Sequence, residues 1–122
     1  MINYQEDWLM RQIEAMVSAL VHILFNIDKS KANETQMLEL NSQKKIREFI
    51  LAANFCEAED WLFDNLDESN LSWLRLALFF YSEINKCSDD FLEGHNFTRE
   101  EISLGLRDIC KKFGYDDIVE NL

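Results

Sequence analysis

Leu71-Ser72-Trp73-Leu74-Arg75-Leu76-Ala77-Leu78-Phe79-Phe80-Tyr81-Ser82-Glu83-Ile84-Asn85 decides how this chain folds. At helical spacing, Leu71, Trp73, Leu74, Leu76, Ala77, Leu78, Phe79, Phe80, Tyr81 and Ile84 leave almost no polar side. A helix that is apolar nearly all round belongs among other helices, not on a surface. The stretch therefore predicts the middle helix of an all-α bundle. Proline is absent and there are three glycines, so the two strongest helix breakers are nearly missing. No segment keeps the two-residue alternation of a half-buried strand.

Upstream, a first helix is expected from about Tyr4 to Ile27, with Asn3 as cap and Glu6 as its capping-box partner. Leu9, Ile13, Met16, Val17, Leu20, Leu24 and Ile27 follow the helical period, and Met10, Val21 and Phe25 widen that apolar face. A polar loop, Asp28 to Asn33, leads to a second helix over about Glu34 to Ala53, with Asn54 as a left-handed turn residue. A third helix covers about Cys56 to Leu66. Trp61, Leu62 and Leu66 face inward there, and the acidic run Glu57, Glu59, Asp60 and Asp64 faces out.

Downstream, a short helix from Ser88 to about Glu93 should end on Gly94 as a left-handed cap. Thr98 and Glu101 form a capping box ahead of Ile102, Leu106 and Ile109. Lys111 and Lys112 suit the last turn of that helix, and Gly114 stops it. The tail from Tyr115 to Leu122 either docks or frays. With 122 residues the chain fits one domain, residues 1–122, of about five to six helices arranged as stacked hairpins behind a long N-terminal helix.

Charge narrows the range of functions. Asp and Glu number 23 against 12 Lys and Arg, a net charge of −11, and no Lys or Arg occurs between Glu48 and Leu74. Such a surface repels phosphate backbones and anionic headgroups, so neither a nucleic-acid nor a membrane partner is expected. The apolar run Met16 to Ile27 is interrupted by Ser18, His22 and Asn26 and reads as too short and polar to cross a bilayer. Cys56, Cys87 and Cys110 are odd in number and far apart. They suggest reduced, mostly buried thiols in a cytoplasmic protein, not a disulfide framework or a zinc site.

Two pieces resemble the tetratricopeptide repeat. Trp73-x-x-Leu76-Ala77-x-x-Phe80 is similar to its first-helix signature, and Ala53-Asn54-Phe55-Cys56-Glu57-Ala58 followed by Leu62 to its turn and second helix. They stand in reverse order, without the expected proline or a 34-residue period. The resemblance implies helical hairpins with tetratricopeptide-like packing, not a repeat array. The whole chain also resembles a family of small proteins of unknown function from Gram-positive bacteria. Tyr4 to Glu14, Asn54 to Glu59 and Asn96-Phe97-Thr98-Arg99-Glu100-Glu101-Ile102 with Gly105-Leu106 carry that likeness. It implies a bacterial cytoplasmic helical protein and transfers no catalytic residue.

Residues able to do chemistry are sparse. His22 has no Asp or Glu three or four residues away, so no helical metal pair forms, and His95 reads as a helix-end residue. Asp89 to Glu100 imitates the spacing of a calcium loop, but Phe91 stands where an oxygen ligand is required. Arg75 is alone in the apolar fourth helix and demands an acidic partner such as Asp64, Asp67 or Glu68, or else an anion. No catalytic residue, metal or cofactor is expected.

The chain thus points to a non-catalytic interaction or adaptor domain. Either a protein partner or self-association is expected, the latter as a homodimer through Trp8, Met10, Val21 and Phe25. The alternative is a small-ligand or lipid-binding bundle, with Trp61, Trp73, Phe80 and Tyr81 lining a cavity. Sequence names no partner, and leaves open whether Glu57 to Glu68 is a binding face or only solubilising.

Overall fold

The computed structural model describes residues 4–28, 36–120 and 122. Among the described residues seven helices follow in order: α1 (Tyr4–Asp28), α2 (Gln36–Leu51), α3 (Phe55–Asn65), α4 (Leu71–Asn85), α5 (Asp89–Gly94), α6 (Arg99–Lys112) and α7 (Asp116–Glu120). There is no strand among the described residues. The expected cap at Asn3 and most of the expected loop after Asp28 lie outside them. The tail docks: α7 closes against α6 and buries Val119.

Helix α4 occupies the middle, packing on α1, α2, α3 and α6. Leu74, Ala77, Phe80, Tyr81 and Ile84 are fully enclosed. Around them α1 contributes Ile13, Met16, Leu20 and Leu24, α3 contributes Phe55, Ala58 and Leu62, and α6 contributes Ile102, Leu106 and Ile109. Each set recurs every three or four residues, which places it on one helical face. Enclosing one such Leu, Ile or Phe contributes roughly 1.5–3 kcal/mol relative to leaving it in water. The aromatics Trp61 and Trp73 (ring centroids 5.7 Å apart) and Phe80 and Tyr81 (5.1 Å) pack on one another.

Three helices stop by the same device, and in two of them a different residue takes the left-handed position than the sequence suggested. After α2, Ala53 holds φ 56°. Its N–H donates to the Ile50 carbonyl (3.0 Å) and the next N–H, of Asn54, donates to Phe49 (2.9 Å). Asn96 (φ 60°) does the same after α5, and Gly114 (φ 82°) after α6. This is the Schellman pattern, which satisfies carbonyls at a helix end that have no partner within the helix. Asn54 is therefore not the turn residue, and Gly94 is still inside α5. At α5 the two residues joined by the bond of longer sequence span, Phe97 and Leu92, are both enclosed.

N-terminal caps are as the sequence suggests for α6: Thr98 Oγ1 accepts from the Glu101 N–H at 3.1 Å. Asn70 caps α4 and Ser88 caps α5 in the same way. The residue after Thr98 does more. Arg99 is 5% exposed, and its guanidinium ties three helix ends together. Nη1 donates to the carbonyl and to the side-chain Oδ1 of Asn85 at the end of α4. Nη2 donates to the Cys87 carbonyl (2.8 Å) and to Asp89 Oδ1 (2.8 Å) at the start of α5, and Nε to the same Asp89 oxygen. Asn85 Nδ2 in turn donates to the Met10 carbonyl in α1 (3.1 Å). A buried guanidinium is tolerable only when its donors are matched in this way.

Candidate interaction groove and polar cleft

The inner stripe of α1 leaves its flanks to other uses. Val17, Val21, Leu24 and Phe25 form one wall of an open groove of about 330 Å³. The other wall is α4, through Arg75, Leu78, Phe79 and Ser82. Spacings of four, four and three put Leu71, Arg75, Phe79 and Ser82 on one face of α4, and all four are only half-buried. The central helix is thus not covered on every side. Beyond the ridge of Arg75 and Phe79 lies a smaller hollow of about 150 Å³, reaching Gln43 on α2. The Arg47 guanidinium sits 5.7 Å from the centre of the Phe79 ring. Arg75 lines both hollows, and burial draws its pKa below the ordinary value.

Of the four residues expected at an interface, two, Val21 and Phe25, line this groove, and Met10 lies on the same flank of α1 about three turns away without lining it. Met10, Val21 and Phe25 share one flank of α1, with Val21 49% and Phe25 63% exposed. Met10 is half-buried at the far end of that flank. Trp8 is as exposed as Phe25 but lies about 100° around the helix from it, on a separate face. The groove partners on α4, Leu78, Phe79 and Ser82, were not singled out by the sequence. A stripe of an all-apolar helix that stays uncovered leaves no trace in the hydrophobic pattern.

A second, polar cleft of about 720 Å³ lies between α3, α6 and α7, with Glu59, Phe63, Glu101, Gly105, Asp108 and Lys111 among its lining residues. At its edge the enclosed Tyr81 hydroxyl donates to Glu59 Oε2 at 2.6 Å. Glu59 is therefore half-buried, whereas its acidic neighbours Glu57, Asp60 and Asp64 face solvent. Burial raises the Glu59 pKa, the carboxylates of Glu101, Asp60 and Asp108 add to the rise, and the Tyr81 hydrogen bond opposes it. Burial and the same carboxylate push the Tyr81 phenol upward as well. Gly105 makes the pair fit, because a Cβ there would collide with both the Tyr81 hydroxyl and Glu59 Oε2. The sequence carries one clue to this arrangement. A glycine inside a capped helix is unfavourable unless something approaches its backbone closely.

Elsewhere the titratable groups are scattered. His22 is exposed on α1, and His95 is exposed with Nδ1 2.7 Å from the Phe91 carbonyl at the end of α5. Cysteine burial differs from expectation. Only Cys110 is enclosed, its thiol pushed up to about 11 chiefly by burial, while Cys87 is half-buried and Cys56 exposed. The Cys56 thiol donates to the Asn96 carbonyl (3.2 Å). Among the described residues no three His, Cys, Asp or Glu side chains are grouped to hold a metal ion.

Helix α1 is also long and apolar enough, over Asp7–Asn26, to cross a membrane by length and composition, with a mean hydropathy of 1.3. The window is longer than the run Met16 to Ile27 because Leu9, Met10 and Ile13 extend it. Of this window 22% is buried within the bundle, and Trp8, Val21 and Phe25 are its exposed large apolar side chains.

No curated protein and no solved structure matches this chain. One family model does, over residues 3–114: a family of unknown function, DUF6483.

Proposed function

The chain belongs to this family of unknown function, and we propose from its own surfaces that it is a non-catalytic interaction domain receiving a protein helix along the α1–α4 groove. The observation that carries this reading is the pair Val21 and Phe25, large apolar side chains left 49% and 63% exposed beside an uncovered stripe of the central helix. Exposed apolar surface lining a groove between helices is what an amphipathic partner helix covers. The tetratricopeptide-like likeness agrees with such a role, since Ala77 is fully enclosed at the small position of the signature. We read the protein as cytoplasmic and bacterial. The inner stripe of α1, Ile13, Met16, Leu20 and Leu24, packs into the common core as in a soluble bundle.

The Tyr81–Glu59 pair supports the non-catalytic part. Tyr81 is enclosed and already spends its hydroxyl on Glu59, so the pair serves the packing of α3, α4 and α6.

The test is photo-crosslinking in the native cell, with the reactive residue placed at Phe25 and, as a control, at Glu93 on exposed α5. A discrete protein adduct at Phe25 that is missing at Glu93 is the expected result. Equal labelling at both positions, or none at Phe25, overturns the reading.

A further inference from the structure

We propose that the polar cleft between α3, α6 and α7 is a second docking surface, distinct from the α1–α4 groove, and that it takes a basic amphipathic helix of a partner protein.

The helices around the cleft repeat one pattern. Along α6 the lining residues include Glu101, Leu104, Gly105 and Asp108. The two acids stand two turns, or about 10 Å, apart, with an apolar side chain and a bare stretch of backbone between them. Along α7 the order is Asp116, Val119, Glu120, again acids around an apolar residue. On α3 Glu59 and Phe63 lie one turn apart. The apolar members are not all spent on the core. Val119 is enclosed and Phe63 half-buried, but Leu104 is 67% exposed. A large apolar side chain kept in water at the mouth of a cleft is surface that a partner covers.

Charge selects the occupant. Five carboxyl groups line the cleft against two cations, Arg107 and Lys111. Among the described residues none of those five groups stands in an ion pair. Their repulsion reaches the inner edge of the cleft. Beyond the effect of burial, the charges of Glu101, Asp60 and Asp108 all raise the Glu59 pKa. The net charge of −11 adds a long-range field that draws in cations and turns away acidic partners, a second copy included.

The lining also separates a protein partner from a small amine. Pockets for small ligands are lined mainly by apolar side chains with a few polar groups among them. Here most of the lining residues are charged, the apolar ones stand between the acids, and the cleft is open. A helix that lays a leucine or similar residue over Leu104 and Gly105, with a lysine or arginine on either side, matches both features.

The test is isothermal titration calorimetry of the full chain with a synthetic helical peptide of alanine and glutamine. The peptide carries two lysines at the spacing of Glu101 and Asp108 and a leucine midway between them. Its counterpart with glutamate in place of lysine is the control. Saturable binding of the lysine peptide, weakened by salt, and none of the glutamate peptide are expected. Glu101→Gln/Asp108→Asn should weaken binding several-fold. Glu57→Gln/Asp64→Asn removes the same charge from exposed α3 positions outside the cleft and should leave binding little changed. Leu104→Ser should weaken it several-fold at unchanged charge, which a diffuse attraction to an acidic surface cannot produce. Helical circular dichroism should be the same for all of these variants. No binding of the lysine peptide overturns the proposal. Equal losses in the two charge-matched variants, or indifference to Leu104→Ser, overturn it too. Binding of 1,5-diaminopentane as tight as that of the peptide would give the cleft to a small amine and overturn the helix.

Discussion

Single residues here are explained by what their neighbours cannot tolerate. Gly105 lies inside α6, where alanine is ordinarily better by about 1 kcal/mol. At this position the added methyl would strike the Tyr81 hydroxyl and the Glu59 carboxylate. Gly105→Ala is therefore expected to destabilise by about 1–3 kcal/mol despite its better helix propensity, as read by urea unfolding. Glu59 offers a pH test. Its pKa is raised in the folded chain above the ordinary 4.5, so the folded state holds that proton more tightly than the unfolded one. The stability this confers is complete below about 4.5 and is lost as pH rises through the raised value. Glu59→Gln, which keeps an acceptor for Tyr81 without the charge, should raise the melting temperature at neutral pH. That advantage should shrink toward zero as the pH is lowered below 4.5. An advantage constant with pH would contradict this account of the pair.

Helix ends were the most legible elements, and also where reading the sequence went astray by a residue or two. The caps at Thr98 and the stop at Gly114 are local chemistry and can be read from a few neighbours. Asn54 and Gly94 are residue types that suit left-handed turns, but the position is fixed by where the preceding helix runs out of partners. It falls on Ala53 and Asn96. An alanine at φ 56° is strained, and glycine relieves it. Ala53→Gly should thus stabilise the chain by about 0.5–1 kcal/mol, the reverse of its effect inside a helix. A loss of stability would mean that the Ala53 methyl contributes more to packing than its backbone costs. Arg99 shows the other limit of local reading. A cation in the first turn opposes the helix dipole. That oddity alone hinted that acceptors from elsewhere, on Asn85, Cys87 and Asp89, hold it. Which residues those were depended on α4 and α5 ending beside it, a long-range fact. The single Arg of the apolar helix, Arg75, drew attention instead, yet it is the less buried of the two.

For the molecule as a whole, the all-α class and the central place of α4 could be read from composition and periodicity, because hydrophobic patterning acts everywhere along the chain. The groove could be read only by half. Val21 and Phe25 stood out as surplus on a wide apolar face, but Met10 and Trp8 looked equivalent and do not line the groove, Trp8 lying on another side of α1. The polar cleft was invisible, because Glu59 differs from Glu57 and Asp60 only in which way the third helix turns it. At this scale the side chains that hold the bundle together are distinct from those kept outside it, Val21 and Phe25 among the latter. Thermal unfolding of the Val21→Ser/Phe25→Ser double variant, at a concentration too low for association, tests that division most directly. A melting temperature within about 2 °C of the unaltered chain is predicted, since exposed substitutions stay within about ±0.5 kcal/mol. A fall of about 10 °C or more would make both residues part of the core and leave the groove with nothing to offer a partner.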